Sequence, residues 1–169
     1  MNKEETYRLL ERKGIQFETF EHGAVYTIEE MDALDLPGKE RIAKNLFLRD
    51  AQKQNYYLVA VPGHKRVDLK ALGKTAAGKS LKFASEEDLR GLLLLEKGSV
   101  TPLGALNSRK QGEGKNLTVV LDRELEGRTI GVHPMENTAT VFLAFEDLVG
   151  LLEGWGCHVE ICRIPAREE

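Results

Sequence analysis

Ile42-Ala43-Lys44-Asn45-Leu46-Phe47-Leu48-Arg49 and Tyr56-Tyr57-Leu58-Val59-Ala60-Val61 are two β-rich runs around a polar Asp50–Asn55 segment. Branched and aromatic runs of this length, separated by turn-forming residues, predict a β-hairpin. On the first strand Ile42, Lys44, Leu46 and Leu48 share one face, while Ala43, Asn45, Phe47 and Arg49 share the other. A lysine therefore interrupts an aliphatic row. A buried ammonium without a partner is costly, so Lys44 either snorkels at the sheet edge or lines a pocket.

Outward from the hairpin, helices and strands alternate irregularly. Asn2 with Glu5 resembles a capping box and Gly14 a C-cap, which predicts a helix over 3–13. Ile15–Phe20 alternates like a strand. Thr27 with Glu30 is another capping box, opening a short helix that stops at Pro37-Gly38. Downstream, Asp68–Thr75 reads as helix, and Ser85 with Asp88 caps a helix running towards Leu95. Lys97–Asn116, rich in Gly, Ser, Pro and Asn, reads mostly as loop. Leu117–Leu121, Thr129–Val132, Thr138–Ala144 and His158–Ile164 read as strands, and Glu146–Glu153 as a helix. No repeat or linker is evident. The pattern predicts one α+β domain over residues 1–169, a large mixed sheet with helices.

Composition narrows the function class. The 169 residues are 41% hydrophobic and 30% charged, ordinary for a soluble protein. No apolar run approaches the roughly 20 residues of a membrane span. Met1-Asn2-Lys3-Glu4-Glu5 is polar and acidic, unlike a targeting segment, so a cytoplasmic protein with no membrane partner is expected. Cys157 and Cys162 would point to opposite faces of a strand, and the histidines His22, His64, His133 and His158 are scattered. Hence no disulfide, metal or cofactor is expected. A net charge of -3 argues against holding nucleic acid by bulk electrostatics, and no DNA partner is expected. The charge is uneven, however. Lys65, Arg66, Lys70, Lys74, Lys79 and Lys82 face a single acid, Asp68, between Gly63 and Phe83, and Arg109, Lys110 and Lys115 form a second group. Such a stripe is either solvated surface or a phosphate-facing track.

Two further segments stand out. Gly98-Ser99-Val100-Thr101-Pro102 and Gly131-Val132-His133-Pro134 each begin with Gly and end with Pro. Gly permits close backbone approach and Pro extends the preceding residue, so such segments are either plain turns or presenters of N–H groups to a carbonyl. Asn137-Thr138 then leads into an apolar strand. There is no nucleophile elbow, phosphate-binding loop, dinucleotide fingerprint or zinc-protease motif. A hydrolase with this sequence would lack an activated protein nucleophile.

Lys44-Asn45-Leu46-Phe47-Leu48-Arg49-Asp50, Gly98-Ser99-Val100-Thr101-Pro102-Leu103-Gly104 and Gly131-Val132-His133-Pro134-Met135-Glu136-Asn137-Thr138-Ala139-Thr140-Val141 together resemble the prolyl-tRNA editing family, within the YbaK-like aminoacyl-tRNA deacylase superfamily. Glu21-His22, Val25-Tyr26-Thr27, Val67–Lys70 and Phe83–Glu87 match as well, with Gly23-Ala24 standing where the family pattern has a proline. Within the superfamily the chain looks like the free-standing alanyl-tRNA(Pro) deacylase branch. The resemblance implies a mixed, barrel-like sheet and an ester hydrolase acting in trans on mischarged tRNA(Pro), with transient contact to prolyl-tRNA synthetase. It implies Lys44 as the central site residue, with Asn45 and His133 beside it. Val25, Tyr26, Thr27, Gly98, Ser99, Val100, Thr101, Pro102, Gly131, Pro134, Asn137 and Thr138 would bind substrate, and Lys65, Arg66, Lys70 and Lys74 the tRNA. A cysteinyl- or seryl-tRNA deacylase, a non-catalytic tRNA- or amino-acid-binding regulator, and a synthetase-docking module are the alternative readings.

Overall fold

The computed structural model describes residues 1–111 and 116–168, with side chains for all of these except 76, 77 and 109–111. In chain order the named elements are α1 (Lys3–Arg12), β1 (Phe17–Glu21), α2 (Ile28–Asp32), β2 (Ala43–Asp50), β3 (Asn55–Pro62), α3 (Leu69–Leu72), β4 (Leu81–Phe83), α4 (Glu86–Asp88), α5 (Ala105–Gln111), β5 (Asn116–Asp122), β6 (Thr129–Val132), β7 (Ala139–Ala144), α6 (Phe145–Trp155) and β8 (His158–Cys162). The hairpin forms with Lys44 opposite Val61 and Leu48 opposite Tyr57. The Asn2–Glu5 capping box is complete. At the other end of α1, Gly14 at φ 69° lets Ile15 N–H reach back to the Leu10 carbonyl.

The expected mixed sheet is built as two. A five-stranded sheet runs β4-β2-β3-β5-β8, antiparallel at β2–β3 and β2–β4 and parallel at β3–β5 and β5–β8. A three-stranded antiparallel sheet runs β1-β7-β6. An isolated parallel bridge between Ile42 and Gly131 connects them, so the sheets wrap towards a barrel without closing. Central strand β3 is buried on both sides. Tyr56, Leu58 and Ala60 join the core with Leu10, Leu106 and Leu148, while Tyr57, Val59 and Val61 pack with Leu72 and Ile164. A smaller cluster of Val25, Met31, Leu36, Ile42 and Phe142 lies where the two sheets meet.

Residues 102–111 are helical where a loop was expected. Pro102 sits in the first turn, the Thr101 hydroxyl accepts from Leu103 N–H at 3.4 Å, and a 3-10 turn runs into α5. Pro there is a helix-start signal that the surrounding Gly and Ser residues obscured. Strand β4 was also unforeseen. It is short, and only Leu81 of its residues is buried. Arg109 and Lys110 side chains, and Lys115, lie outside the described residues. Among the described residues no helix is long and apolar enough to cross a membrane.

Two buried carboxylates fix the far ends of the large sheet. Asp50, at 0% exposure, accepts from the N–H groups of Gln54 and Asn55, from Asn55 Nδ2 at 2.7 Å and from Lys79 at 3.3 Å. Burial alone would raise its pKa, yet these bonds hold the carboxyl well below the usual carboxylate range. Asp122, also fully buried, accepts from Lys65 Nζ at 2.6 Å, and the same ammonium reaches Glu124 and the Ile164 carbonyl. Lys65 is therefore withdrawn from the expected tRNA contacts. Its charge is committed to an internal network, because an unpaired buried Asp122 would be costly.

Candidate active site

A hollow of about 430 Å³ opens where the loop before α2, the start of β2 and the Gly98 turn converge. Val25, Tyr26 and Thr27 form one side, continued by Ile28, Glu29 and Met31 of α2. Ile42, Ala43, Lys44 and Asn45 form the floor, and Gly98, Val100 and His133 close it.

The entry loop is held by hydrogen bonds to Asn137 and Thr138. Asn137 Nδ2 donates to the Val25 carbonyl at 2.7 Å, and Val25 N–H returns to the Asn137 carbonyl at 3.3 Å. His22 N–H reaches the Thr138 carbonyl at 2.9 Å. Asn137 and Thr138, expected to touch substrate, are not among the residues lining the hollow; they position the loop that does. Thr27 caps α2 by accepting from Glu30 N–H, while the Glu30 carboxylate takes Tyr26 N–H rather than completing the expected box at Thr27. The Tyr26 ring, 58% exposed, lies against Gly98. Gly98 has φ +87°, and a Cβ there would sit 2.6 Å from the Tyr26 ring and 3.1 Å from Asn137 Nδ2. Glycine is required at this position both by conformation and by space.

Beyond Gly98 the turn divides. Ser99 is buried and its N–H is used by the Glu96 carbonyl; Thr101 and Pro102, also buried, start the helical turn into α5. These three anchor the turn rather than line the hollow. The N–H groups of Gly98 and Val100 have no partner among the described residues and remain available. The second Gly-Pro segment is not such a cradle, which corrects the sequence expectation. Gly131 and Val132 belong to β6 and pair with Phe142 and Val141. A Cβ on Gly131 would come within 2.8 Å of Phe142 and 3.0 Å of Ile42, so this glycine lets the two sheets approach. Pro134 is buried. The segment's contribution to the hollow is His133.

Lys44 is half-buried and its Nζ donates to the Lys65 carbonyl at 2.7 Å. Burial lowers its pKa; the Glu29 carboxylate opposes the shift and the Arg66 charge adds to it. The Asn45 amide makes only a long 3.5 Å contact to the Ala43 carbonyl, and its Oδ1 is buried with no partner among the described residues. An unsatisfied buried acceptor beside a hollow is a place for a ligand donor. His133 Nδ1 donates to the Ala139 carbonyl at 3.0 Å, a tautomer that leaves a lone pair on Nε2. Burial lowers its pKa, with the neighbouring His22 acting in the same direction, so the imidazole is neutral near pH 7. The His22 ring stands 6.4 Å away, with Nε2 2.9 Å from the Thr140 hydroxyl.

Ile28, Glu29, Met31 and Ala43 were missed from sequence, whereas Ile42, on the aliphatic face of its strand, lines the hollow as that face suggested. The Thr27 cap was the available signal: residues of the first helical turn must follow the entry loop into the hollow. Arg66, Lys70 and Lys74 are exposed. Lys70 and Lys74 flank a different hollow, with Leu69 and Leu81, that shares no lining residue with the Lys44 site.

A half-buried cation, an orphan acceptor, a neutral imidazole and two free N–H groups can position a small ester, stabilise charge on its carbonyl oxygen and move a proton. Among the described residues no serine or cysteine lines the hollow. The chain is similar to the prolyl-tRNA editing protein ProX of Acetoanaerobium sticklandii, 42% identical over 148 residues, covering 87% of this chain and 88% of that protein. It is 35% identical over 156 residues to prolyl-tRNA synthetase associated domain-containing protein 1 of Danio rerio, covering 89% of this chain and 81% of that protein. In fold it resembles the crystal structure of the hypothetical protein APE2540, with a TM-score of 0.69 at 22% identity over 96% of this chain and 99% of that one. The aminoacyl-tRNA editing domain matches residues 22–151, which span Lys44, Gly98 and His133, and the chain belongs to that family.

Proposed function

We propose that this protein removes the wrong amino acid from mischarged tRNA(Pro) in trans, with alanyl-tRNA(Pro) as its main substrate. As a member of the editing family it is an aminoacyl-tRNA deacylase. The observation that carries the reading is the convergence of Lys44, Asn45, His133 and the free N–H groups of Gly98 and Val100 on one hollow. The name of the Acetoanaerobium relative, a prolyl-tRNA editing protein, supports proline tRNA as the carrier.

In this mechanism the Lys44 ammonium contacts the aminoacyl carbonyl or terminal ribose and fixes the ester. The Gly98 and Val100 N–H groups receive the oxyanion as water adds to the carbonyl. Asn45 Oδ1 accepts from the substrate's α-ammonium, whose charge Glu29 complements. His133 Nε2 takes the proton of the attacking water and returns it to the departing ribose oxygen, or the free ribose hydroxyl of the substrate relays it, passing its own proton to that oxygen as it receives the water's; the ester C–O bond breaks and the ribose oxygen leaves protonated. A positioned ester needs no protein nucleophile. Arg66 contacts the tRNA, with Lys70 and Lys74 as outlying, weaker contacts, and prolyl-tRNA synthetase is met only transiently.

The apolar wall supports a size sieve. It comes from Val25, Ile28, Met31, Ile42 and Val100. Leu46 and Leu48, on the same face of β2 as Ile42, pack instead into the core beside Val59 and Val61. A synthetase pocket built for proline excludes smaller alanine poorly, since each missing methylene changes binding by only about 1–3 kcal/mol. A second site that admits a methyl group and rejects a pyrrolidine ring corrects the error. The test is a parallel time course on alanyl-, seryl-, cysteinyl- and prolyl-tRNA(Pro). Alanyl-tRNA should be cleared fastest, seryl-tRNA more slowly and prolyl-tRNA spared. Equal rates on prolyl-tRNA would refute the sieve, and a clear preference for cysteinyl-tRNA would move the chain to another branch.

A further inference from the structure

We infer that four arginines beside the ester hollow, Arg41, Arg66, Arg128 and Arg167, dock the tRNA backbone phosphates nearest its aminoacylated end; this rests on the deacylase reading above. These residues come from four separate stretches of sequence and meet around Pro62, at the end of β3. Arg41 and Arg128 line a hollow of about 390 Å³ that includes Pro62. Arg66, Arg128 and Arg167 line a second, of about 440 Å³, that also includes Pro62. The first shares Ile42 with the Lys44 hollow, so the cluster borders the site. The chain's C-terminal segment places Arg167: its N–H donates to the Arg66 carbonyl at 2.7 Å, next to an antiparallel bridge between Val67 and Ala166.

The cluster is only partly compensated: Glu40 lines the first hollow, and Glu124 in the second feels the Arg128 charge. All four arginines are exposed. Arg66, Arg128 and Arg167 make no ion pair among the described residues, and Arg41 has only an exposed contact with Glu40 at 3.8 Å. Glu124, the acid within the second hollow, is already held by Lys65. On a chain of net charge -3 this leaves a local excess of positive charge, four guanidinium groups against Glu40 and the Lys65-bound Glu124. Planar guanidinium forks suit phosphate oxygens, which they can grip in pairs. The exposed large apolar residues, Tyr26, Phe83 and Leu94, line neither hollow, which favours a nucleic-acid backbone over a lipid surface.

The experiment uses the full chain carrying R128Q and R167Q together, both exposed and outside the Lys44 hollow. Kinetics on alanyl-tRNA(Pro) and fluorescence anisotropy with uncharged tRNA(Pro) are measured over a range of KCl. At about 150 mM salt KM should rise roughly 10-fold, with kcat within about 2-fold, and the log–log salt slope should flatten by about 1.5, the loss of two phosphate contacts. The anisotropy Kd should weaken in parallel. An unchanged salt slope, or a fall in kcat at constant KM, overturns the inference. So does a variant that loses only its retention on phosphatidylserine vesicles. Because uncharged tRNA is bound without being cleaved, that arm judges the arginines even if the wild type proves inactive on every charged tRNA, the result that would sink the deacylase reading instead.

Discussion

Lys44 and Lys65 are in direct contact, the ammonium of the first donating to the main-chain carbonyl of the second, yet their surroundings are opposite. Lys65 Nζ meets the Asp122 and Glu124 carboxylates and the Ile164 carbonyl. Burial alone would lower its pKa, and the two carboxylates hold it above the ordinary lysine value. Lys44 has a carbonyl, no carboxylate within ion-pair distance among the described residues, and a pKa lowered by burial. A cation whose donors are all used belongs to the fold. A half-buried cation left short of partners beside a hollow belongs to a site, because a ligand can complete it.

The sharpest way to break this comparison is to remove each lysine in turn. Lys65→Ala leaves fully buried Asp122 unpaired, and should cost about 3–5 kcal/mol of stability. For a chain of this size that lowers Tm by roughly 10 °C, with activity per folded molecule retained. Lys44→Ala should do the reverse: deacylation falls at least about 100-fold, the scale of losing a positioned charge on the oxyanion, while the melting curve scarcely moves. Lys44→Arg should fail too, because a guanidinium does not replace a compact ammonium in a small site. A well-folded Lys44→Ala variant with wild-type rates would make Lys44 a snorkelling surface residue.

Gly98→Ala comes next. It forces a side chain to φ +87° and into the Tyr26 ring. Backbone strain of this kind costs about 1–3 kcal/mol. Deacylation should fall about 10-fold as the Gly98 and Val100 N–H groups shift, close to one order of magnitude per 1.36 kcal/mol. Adding Tyr26→Ala should restore part of the stability, since it removes the clash but not the strained φ. Full recovery of stability in the double variant would show that the clash alone matters.

The two lysines also predict opposite alkaline behaviour. Lys65 has a raised folded-state pKa, so its stabilisation is complete below the ordinary lysine value of 10.5 and disappears as pH rises through the folded value above it. Lys44 has a lowered one, so its burial costs stability at neutral pH and that cost fades as pH approaches 10.5. Urea midpoints of the wild type against Lys44→Met and Lys65→Met report this. The advantage over Lys65→Met should shrink above 10.5, whereas the balance against Lys44→Met should move in favour of the wild type just below 10.5. Matching trends for the two variants would erase the distinction.

Local signals were legible in the sequence: the hairpin, the Asn2 cap, the Gly14 stop and the strands after it depend on neighbours a few residues apart. Lys44, Asn45 and His133 meet at one hollow because the motif segments that carry them converge in space. What stayed hidden depends on distant pairs. Lys65 looked like its neighbours in a basic stripe because Asp122 and Ile164 lie far along the chain. Asn137 looked like a substrate contact because nothing local shows that its amide will tie down Val25. Gly131 fits both a Thr129–Val132 strand and an N–H-presenting turn in the sequence; the close packing of Ile42 and Phe142 decides its identity.

The smallest effect is expected at Lys70 and Lys74, which share a charge and a stretch of sequence with Lys65 but neither its partners nor a border with the Lys44 hollow. Both are exposed, and their hollow lies beside Leu69 and Leu81. An exposed lysine without a fixed partner is a mobile, hydrated charge, which attracts polyanions generally and grips no particular phosphate. The double variant Lys70→Gln with Lys74→Gln should therefore raise KM for alanyl-tRNA(Pro) by no more than about 2-fold and change the salt slope by well under the roughly 0.7–0.9 of one full phosphate contact. Stability should hold, since surface changes of this sort usually stay within about 0.5 kcal/mol. The measurement is the same salt series used for the arginine pair, so the two slopes compare directly. A steeper loss at Lys70 and Lys74 than at Arg128 and Arg167 would place the tRNA body along α3 and make adjacency to the hollow the wrong guide to which cations touch RNA.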